Sequence, residues 1–384
     1  MTTQAQTAGP LNSAVLGIAA IGFLVTGAAV LYALMGQGHA AFNTSDDGMF
    51  WGLPIVVYDF FLLTSTGLAL TATFGLVMGL SDFNAIAKRC LWLALAGLIG
   101  GVAALSLELS YPLRALYAIP LSFQTASPFF WKVLFVAAYV ILLLALIAKV
   151  NRPDWTVRST RGLAIAVLVA ALGISMIAGS VYGMMAMRPF WYDGLIPFYF
   201  LATAALSGVA FAVLASYLAH GFSQAAMPGA LRELMQGAMP KLFAALLGLN
   251  LLLLAARSLT GVWSNYDGMQ AFEWMVASPW FWVEIAAYVL AFFILLSPNL
   301  RSQGNMQLAA SVLVILALFI GRYEYVIGGQ VVPLFKGAWV PDLIAYTPSL
   351  TEWMLALLAL SLTFGIYALG EKMLNLSAAP DERS

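Results

Sequence analysis

The sequence predicts an all-α integral membrane protein with ten transmembrane helices, and three observations support that prediction. Hydrophobic residues make up 62% of the 384 residues and charged residues only 9%. The mean hydropathy is +0.91. The apolar residues fall into ten stretches, each near the roughly 20 residues that a helix needs to cross a hydrocarbon core. We therefore expect one membrane domain over residues 1–384.

The ten apolar stretches define the predicted helices in chain order. They cover residues 11–35, 51–80, 90–109, 128–149, 162–187, 195–219, 241–260, 279–297, 306–326 and 350–370. The first follows Met1–Pro10, which has no Lys or Arg, and is too long for the apolar part of a signal peptide, so we expect it to remain a helix. The fourth and eighth begin at Ser127-Pro128 and Ser278-Pro279, where Ser suits the cap and Pro the first turn.

The chain contains an internal repeat. The motif Ser127-Pro128-Phe129-Phe130-Trp131 returns as Ser278-Pro279-Trp280-Phe281-Trp282, and Gly67 is matched by Gly208. We therefore predict two related four-helix bundles, helices 2–5 in repeat unit one (51–187) and helices 6–9 in repeat unit two (195–326). Helix 1 and helix 10 (350–370) flank them. Both units begin on the same side of the membrane, so the repeat is parallel, a type that occurs in transporters among other proteins.

Lysine and arginine set the expected orientation. With ten spans both termini share one side, and that side carries eleven basic residues against six on the other. The eleven are Lys88, Arg89, Lys149, Arg152, Arg158, Arg161, Arg232, Lys241, Arg301, Lys372 and Arg383. The six are Arg114, Lys132, Arg188, Arg257, Arg322 and Lys336. The positive-inside rule makes the first side cytoplasmic. We expect a multi-pass protein of the bacterial inner (cytoplasmic) membrane, with both termini cytoplasmic.

Composition excludes several kinds of site. Cys90 is the only cysteine, so the chain cannot form an internal disulfide or a Cys-ligated iron–sulfur cluster. His39 and His220 fall in opposite loops, which excludes a haem held by two histidines within the helices. We expect no metal site and no haem in this chain. The formal net charge is zero, and nothing predicts nucleic-acid binding.

Ionisable residues within the apolar stretches are the candidate functional groups, because a charge at a helix centre costs about 2.5–3.5 kcal/mol on insertion scales. Asp59, which follows Tyr58 in helix 2, is the deepest carboxylate. The further proton-exchange or ion-pair candidates are Glu108, Lys132, Arg257, Glu284 and Arg322. An alternative is purely structural ion pairing, such as Arg257 with Glu284, or an Arg322 that extends to the interface. Trp and Tyr crowd the predicted outer face, which favours a docking or binding surface there.

Several motifs, in this order, carry a family resemblance. Helix 2 opens with Trp51-Gly52-Leu53-Pro54, followed by Tyr58-Asp59 and Thr66-Gly67. Helix 3 ends at Leu107-Glu108-Leu109-Ser110-Tyr111-Pro112, with Arg114 beyond it, and helix 4 begins with Ser127-Pro128-x-x-Trp131. The chain resembles the NrfD/PsrC family of membrane subunits over nearly its whole length. Tyr346-x-Pro348-Ser349-x-x-Glu352 and the ten-helix length are closer to the longer branch, which includes DsrP, HybB and the paired subunits of alternative complex III.

The resemblance implies a quinone-binding subunit of a respiratory oxidoreductase that has no redox centre of its own. It implies ubiquinone or menaquinone as the substrate and a ferredoxin-like iron–sulfur subunit on the outer face. Further catalytic or cytochrome subunits and membrane lipid are the other expected partners. The polar position of helix 2 that faces the quinone is a His in the shorter branch of that family, whereas Asp59 stands there in this sequence.

A quinone site needs an apolar slot, aromatic walls and a polar group at each ring oxygen. We expect Tyr58 and Asp59 to supply one polar end, and Asp59 and Glu108 to exchange protons as the catalytic groups. The expected quinone-binding residues are Trp51, Tyr58, Asp59, Tyr111, Arg114 and Trp131. Since the predicted inner half lacks carboxylates, the sequence does not favour a proton pump.

Two other functions fit the same sequence. A secondary transporter of a small solute or ion would also have repeats and buried carboxylates, although such proteins usually break helices near the midplane, and Pro54 and Pro197 instead lie near helix starts. A purely structural membrane anchor for a soluble enzyme predicts that Asp59→Asn has no effect.

Overall fold

The structure is a computed structural model that describes residues 10–44, 48–264, 268–335, 342–378 and 380. These residues form helices and no strands, which confirms the all-α prediction. Ten helices are long and apolar enough to cross a membrane. Lys336 and Arg383, which entered the charge count above, and residues 1–9 lie outside the described residues.

Fourteen α-helices follow one another in the described chain. They are α1 Pro10–Gln37, α2 Leu53–Leu76, α3 Asn84–Glu108, α4 Pro112–Ser122, α5 Pro128–Val150, α6 Val157–Gly183, α7 Ile196–Ala219, α8 Gly229–Gln236, α9 Ala238–Trp263, α10 Gln270–Ala277, α11 Pro279–Leu296, α12 Pro298–Arg301, α13 Gly304–Gly328 and α14 Leu350–Met373. The membrane-length helices are α1, α2, α3, α5, α6, α7, α9, α11, α13 and α14, with α8 continuing into α9. We call the end where α2, α5, α7, α11 and α14 begin the predicted outer face.

The structure has helix in several places between the predicted membrane helices. The short helices α4, α8, α10 and α12 all lie there. Helix α3 begins at Asn84, ahead of the expected start, so Lys88 and Arg89 lie inside a helix and are buried. Arg89 tolerates burial because its Nε atom forms an ion pair with Glu371 of α14 at 2.5 Å.

Helix α2 forms the centre of the molecule. In the most apolar 18-residue stretch of α2, 94% of the residues are buried, whereas in that of α1 the share is 17%. It packs against α3, α6, α7, α13 and α14. Because protein surrounds α2 on all sides, a polar side chain on it faces neighbouring helices rather than lipid. Helix α1 packs on α14, and α14 packs on α3, so the two flanking helices cover helices of the first unit.

The same pairings recur in the two proposed units. In the first unit α2 packs on α3 and α6, and α5 packs on α3 and α6; in the second, α7 packs on α9 and α13, and α11 packs on α9 and α13. Helices α2 and α7 cross at two glycines, where a Cβ added at Gly67 would overlap the carbonyl of Ala204, and one added at Gly208 would overlap the backbone of Gly67. Side chains at these positions would force α2 and α7 apart. The division into two repeat units stays a prediction.

Candidate functional site

The carboxylate of Asp59 is fully buried inside the first unit. Lys132, in the second turn of α5, directs its Nζ atom to Oδ1 of Asp59 at 3.3 Å. The hydroxyl of Tyr182, near the end of α6, donates to Oδ2 at 2.5 Å. Three helices therefore place polar groups on one carboxylate, and both carboxylate oxygens have partners, as the burial of a charged group requires.

Tyr58 completes this group from the same helix as Asp59. The Nζ atom of Lys132 lies 4.8 Å from the centre of the Tyr58 ring, a cation–π contact. Three sequence-predicted residues, Tyr58, Asp59 and Lys132, are thus brought together within the membrane-spanning part of the protein. We call these three residues and Tyr182 the Asp59 cluster.

An aromatic layer separates the Asp59 cluster from the predicted outer face. The indole of Trp51 meets the Tyr182 ring edge-on, with centroids 5.4 Å apart, and stacks on Trp191 at 5.2 Å. Gln330 fixes the backbone of Trp51 from both sides, since its Oε1 accepts from the Trp51 N–H and its Nε2 donates to the Trp51 carbonyl, each at 2.9 Å. Trp51 is therefore held over Tyr182 by a residue that follows α13.

Hydroxyl groups continue from the Asp59 cluster toward the predicted inner face. Ser65 and Thr66 lie about 9–11 Å further along α2, at 1.5 Å per residue. The Tyr139 hydroxyl of α5 donates to the Ser65 carbonyl at 3.0 Å, and the Ser175 hydroxyl of α6 donates to Oγ1 of Thr66 at 2.9 Å. The same three helices that meet at Asp59 are therefore joined again by neutral polar groups.

Three of the predicted quinone-binding residues lie apart from the Asp59 cluster. Tyr111 is 69% exposed, and its ring contacts the guanidinium of Arg114 at 4.9 Å. Trp131 is 43% exposed, and its indole donates to the Thr125 carbonyl at 2.8 Å. The contacts therefore do not bring these three expected quinone-binding residues to Asp59, and all three belong to the outer surface around α4.

Glu108 also lies apart from Asp59. It is the last residue of α3 and is partly buried, and its carbonyl oxygen lies 2.6 Å from Nε2 of His39. No hydrogen bond of the described residues joins the Glu108 carboxylate to the Asp59 cluster. A proton relay between Glu108 and Asp59 would need a further carrier between them.

The charged residues of the second unit are arranged differently from the expectation. Arg257 does not pair with Glu284: its guanidinium lies 4.3, 5.1 and 4.7 Å from the ring centres of Phe190, Phe272 and Tyr325. Within the described residues, ion pairs closer than 4.0 Å are Arg89–Glu371 and Lys132–Asp59. Aromatic faces have taken the place of the carboxylate as the partners of this cation.

Arg322 and Glu284 are buried as well. Arg322 is 5% exposed, which argues against the alternative that it extends to the interface. Its guanidinium lies 4.0 Å from the centre of the Phe200 ring and donates to Oγ1 of Thr203 at 3.1 Å. Oε1 of Glu284 is buried without a hydrogen-bond partner. The second unit therefore holds a carboxylate that no basic side chain neutralises by direct contact.

Sequence reasoning missed Tyr182, Trp191 and Gln330. Tyr182 lies at the end of α6, and Trp191 follows that helix. Aromatic residues at such positions are usually interpreted as part of an interfacial belt. Tyr182 could have been singled out by comparison with Tyr325, which lies near the end of the corresponding helix of the second unit. Among the described residues, no group of three or more His, Cys, Asp or Glu side chains could hold a metal ion.

Comparison with known proteins places the chain in a family. The family model described as "Polysulphide reductase, NrfD" matches residues 42–334. The chain belongs to the NrfD family. This NrfD protein is 27% identical to a selenate reductase subunit of Mesobacillus selenatarsenatis, over 79% of this chain and 80% of that relative. It is 22% identical to the Hdr-like menaquinol oxidoreductase integral membrane subunit of Archaeoglobus fulgidus, over 85% of each.

A further relative extends the match. The NrfD chain is 24% identical to a putative dimethyl sulfoxide reductase membrane subunit of Halobacterium salinarum, over 97% of this chain and 94% of that relative. These relatives are named as subunits of reductases or oxidoreductases, and two of them as membrane subunits. The family and the ten membrane-length helices together make this NrfD protein a membrane subunit of a redox complex.

Proposed function

We propose that this NrfD protein is the quinone-reactive membrane subunit of a respiratory oxidoreductase and that quinone chemistry takes place at the Asp59 cluster. The observation that carries the proposal is a buried carboxylate, Asp59, held by a lysine and a tyrosine inside the membrane-spanning part of the protein. Ionisable groups at such a depth are costly, and they commonly mark proton or ligand pathways.

The donor set of the cluster suits a quinone. Quinone oxygens accept hydrogen bonds, and the ammonium of Lys132, which has three N–H groups, and the phenol of Tyr58 are donors. Trp51 presents a partly exposed indole beside Tyr182, and an aromatic face is the usual partner of a flat conjugated ring. The residues present therefore fit the binding of a quinone headgroup between α2, α5 and α6.

Quinone reduction consumes two electrons and two protons, so the site must hold protons as well as bind the ring. Lys132 and Tyr182 each carry a proton on the atom that faces Asp59. A proton that Lys132 gives to the reduced quinone would be replaced by one that the Asp59 carboxylate first takes up from water and then passes to Lys132, which is the role of a general acid and base. We propose Asp59 as the proton-exchanging group and Lys132 as its immediate partner, with Glu108 serving the outer surface through water.

The electrons would pass to or from an iron–sulfur subunit on the predicted outer face. That face carries large exposed aromatic side chains on and beside α4 and α10. They are Tyr111, Tyr117, Phe123, Trp131, Trp263, Trp280 and Trp282. Aromatic residues are enriched at protein interfaces, and exposed apolar patches of this kind mark docking sites. We propose that this surface binds the iron–sulfur subunit and that both termini are cytoplasmic.

The relative from Archaeoglobus fulgidus is named a menaquinol oxidoreductase subunit, which supports exchange with a quinol pool. Purification of the protein from its native membrane tests the proposal. We expect subunits with iron and acid-labile sulfide to co-purify, and the complex to transfer electrons between a quinol and an artificial acceptor. Purification without any redox partner, together with solute uptake into liposomes by the chain alone, would support the transporter alternative instead.

A further inference from the structure

A cavity of about 300 Å³ lies in the second unit between α7 and α9. Its walls include Leu195 and Ile196 at the start of α7 and Leu253 and Ala256 on α9. Leu195 is 58% exposed, so the cavity reaches the protein surface at the start of α7. The volume is at the lower end of the roughly 300–1,000 Å³ typical of small-molecule sites. An apolar slot of this size admits one small ring with a chain leaving between the helices.

Polar side chains also line the cavity. Arg257, Tyr199, Thr260 and Asp193 are among them. Arg257 is six residues before the last residue of α9, hence about 9 Å below the helix end at 1.5 Å per residue. From that depth an arginine can extend its side chain and place its charge at the membrane interface. Because a charge away from the interface is costly, the position of Arg257 calls for a further partner.

Arg257 is fixed in place and still has unused donors. Its guanidinium packs against Phe190, Phe272 and Tyr325, and Nη2 donates to the Phe190 carbonyl at 3.1 Å. Its Nε atom is buried without an acceptor. A guanidinium has five N–H donors, more than these contacts use. A ligand oxygen beside Arg257 in the cavity would therefore meet a donor that is already oriented.

The charges of the cavity favour a neutral ligand over an anionic one. One cation, Arg257, and one carboxylate, Asp193, line it. Asp193 would repel a phosphate, and no second basic residue of the lining offsets it. A neutral carbonyl oxygen accepts from Arg257 or Tyr199 without that repulsion.

We propose that this cavity is a second quinone-binding position, distinct from the Asp59 cluster. The headgroup would accept hydrogen bonds from Arg257 and Tyr199, and the isoprenoid tail would leave between α7 and α9. The position binds a quinone but has no carboxylate and lysine pair beside it, so it holds the headgroup without the proton-exchanging groups of the first unit. This inference rests on the proposed function, since both sites take the same class of ligand.

Photolabelling of the intact complex with a short-chain azidoquinone tests the inference, with labelled peptides identified by mass spectrometry. We expect label both in the peptide that contains Asp59 and in peptides from 189–199 or 253–264. Thr260→Trp adds an indole to the cavity lining and should lower the α7–α9 label at least about tenfold, because the headgroup loses the space it would occupy, and a tenfold loss corresponds to about 1.4 kcal/mol of binding free energy. The matched control is Leu252→Trp, on the exposed surface of α9 and outside the cavity, which should keep both labels.

The outcomes separate this inference from the proposed function. Label at the Asp59 peptide alone would overturn the second position and leave the proposed function standing. Label at neither peptide in a complex that retains its subunits would overturn both. A phospholipid that remains bound at α9 and blocks labelling at saturating azidoquinone would also overturn the inference, because the cavity would then be a structural lipid site.

Discussion

The two proposed units both bury ionisable groups, but the partners of these groups differ. In the first unit both oxygens of Asp59 have partners, Lys132 and Tyr182. In the second unit Oε1 of Glu284 is buried without a partner, and Arg257 and Arg322 face aromatic rings instead of a carboxylate. A carboxylate with partners on both oxygens is held in a defined geometry. The difference supports the proposal that proton chemistry takes place at the Asp59 cluster.

Matching positions and a direct contact relate the two proposed units to each other, so that their residues can be compared. Tyr58 and Tyr199 each stand nine positions before a crossing glycine, Gly67 or Gly208. Tyr182 and Tyr325, near the outer ends of α6 and α13, meet edge-on with their ring centres 5.4 Å apart. We propose that the units descend from one ancestral bundle and that these residues occupy equivalent positions. On that basis each variant in one unit has a natural control in the other.

Removal of Lys132 should produce the largest effect on stability. Lys132→Met leaves Asp59 buried without its cation, which costs about 3–5 kcal/mol of unfolding free energy for a buried pair. The double variant Asp59→Leu with Lys132→Met removes both charges and should recover most of that loss. Denaturation of the detergent-solubilised complex measures both values. A double variant as unstable as Lys132→Met would show that the pair is not the source of the effect.

The paired tyrosines should differ in the next largest effect. Tyr182→Phe removes a hydrogen bond to a carboxylate and should destabilise the protein by about 1.5–3 kcal/mol. Tyr325→Phe removes a buried hydroxyl without a hydrogen-bond partner and should be neutral or stabilising. The same denaturation assay compares them. Equal losses for the two variants would contradict the difference between the units.

The crossing of α2 and α7 should tolerate no added side chain. Gly67→Ala places a methyl group against the Ala204 carbonyl, and such overpacking costs about 1–3 kcal/mol. Gly17→Ala is the control, since a Cβ at Gly17 meets no atom within 4 Å, and it should be neutral or slightly stabilising. Thermal unfolding of both variants gives the comparison. A stable Gly67→Ala protein would mean that α2 and α7 are not in direct backbone contact.

The sequence was sufficient for the ten membrane-length helices because each apolar stretch alone matches the membrane thickness. The short helices α4, α8, α10 and α12, of 11, 8, 8 and 4 residues, fall below that length and were missed. Asp59 could be singled out because a carboxylate in an apolar stretch is costly. Lys132 was a candidate as well, but its pairing with Asp59 and the role of Tyr182 could not be predicted, because the two residues come from other helices and only packing brings them to Asp59. The Arg257–Glu284 pair was wrong for the same reason: the sequence does not show that three aromatic rings surround Arg257.

The most direct measurement compares quinone turnover in Asp59→Asn and Glu284→Gln within the intact complex. Both changes keep the size of the side chain and remove its titratable proton. We predict that Asp59→Asn lowers turnover by about 10²-fold, the usual contribution of a general acid or base. Glu284→Gln should stay within about threefold of wild type, which is less than about 0.7 kcal/mol of transition-state stabilisation. Wild-type turnover in Asp59→Asn, with loss of turnover in Glu284→Gln, would contradict the assignment of proton chemistry to the first unit.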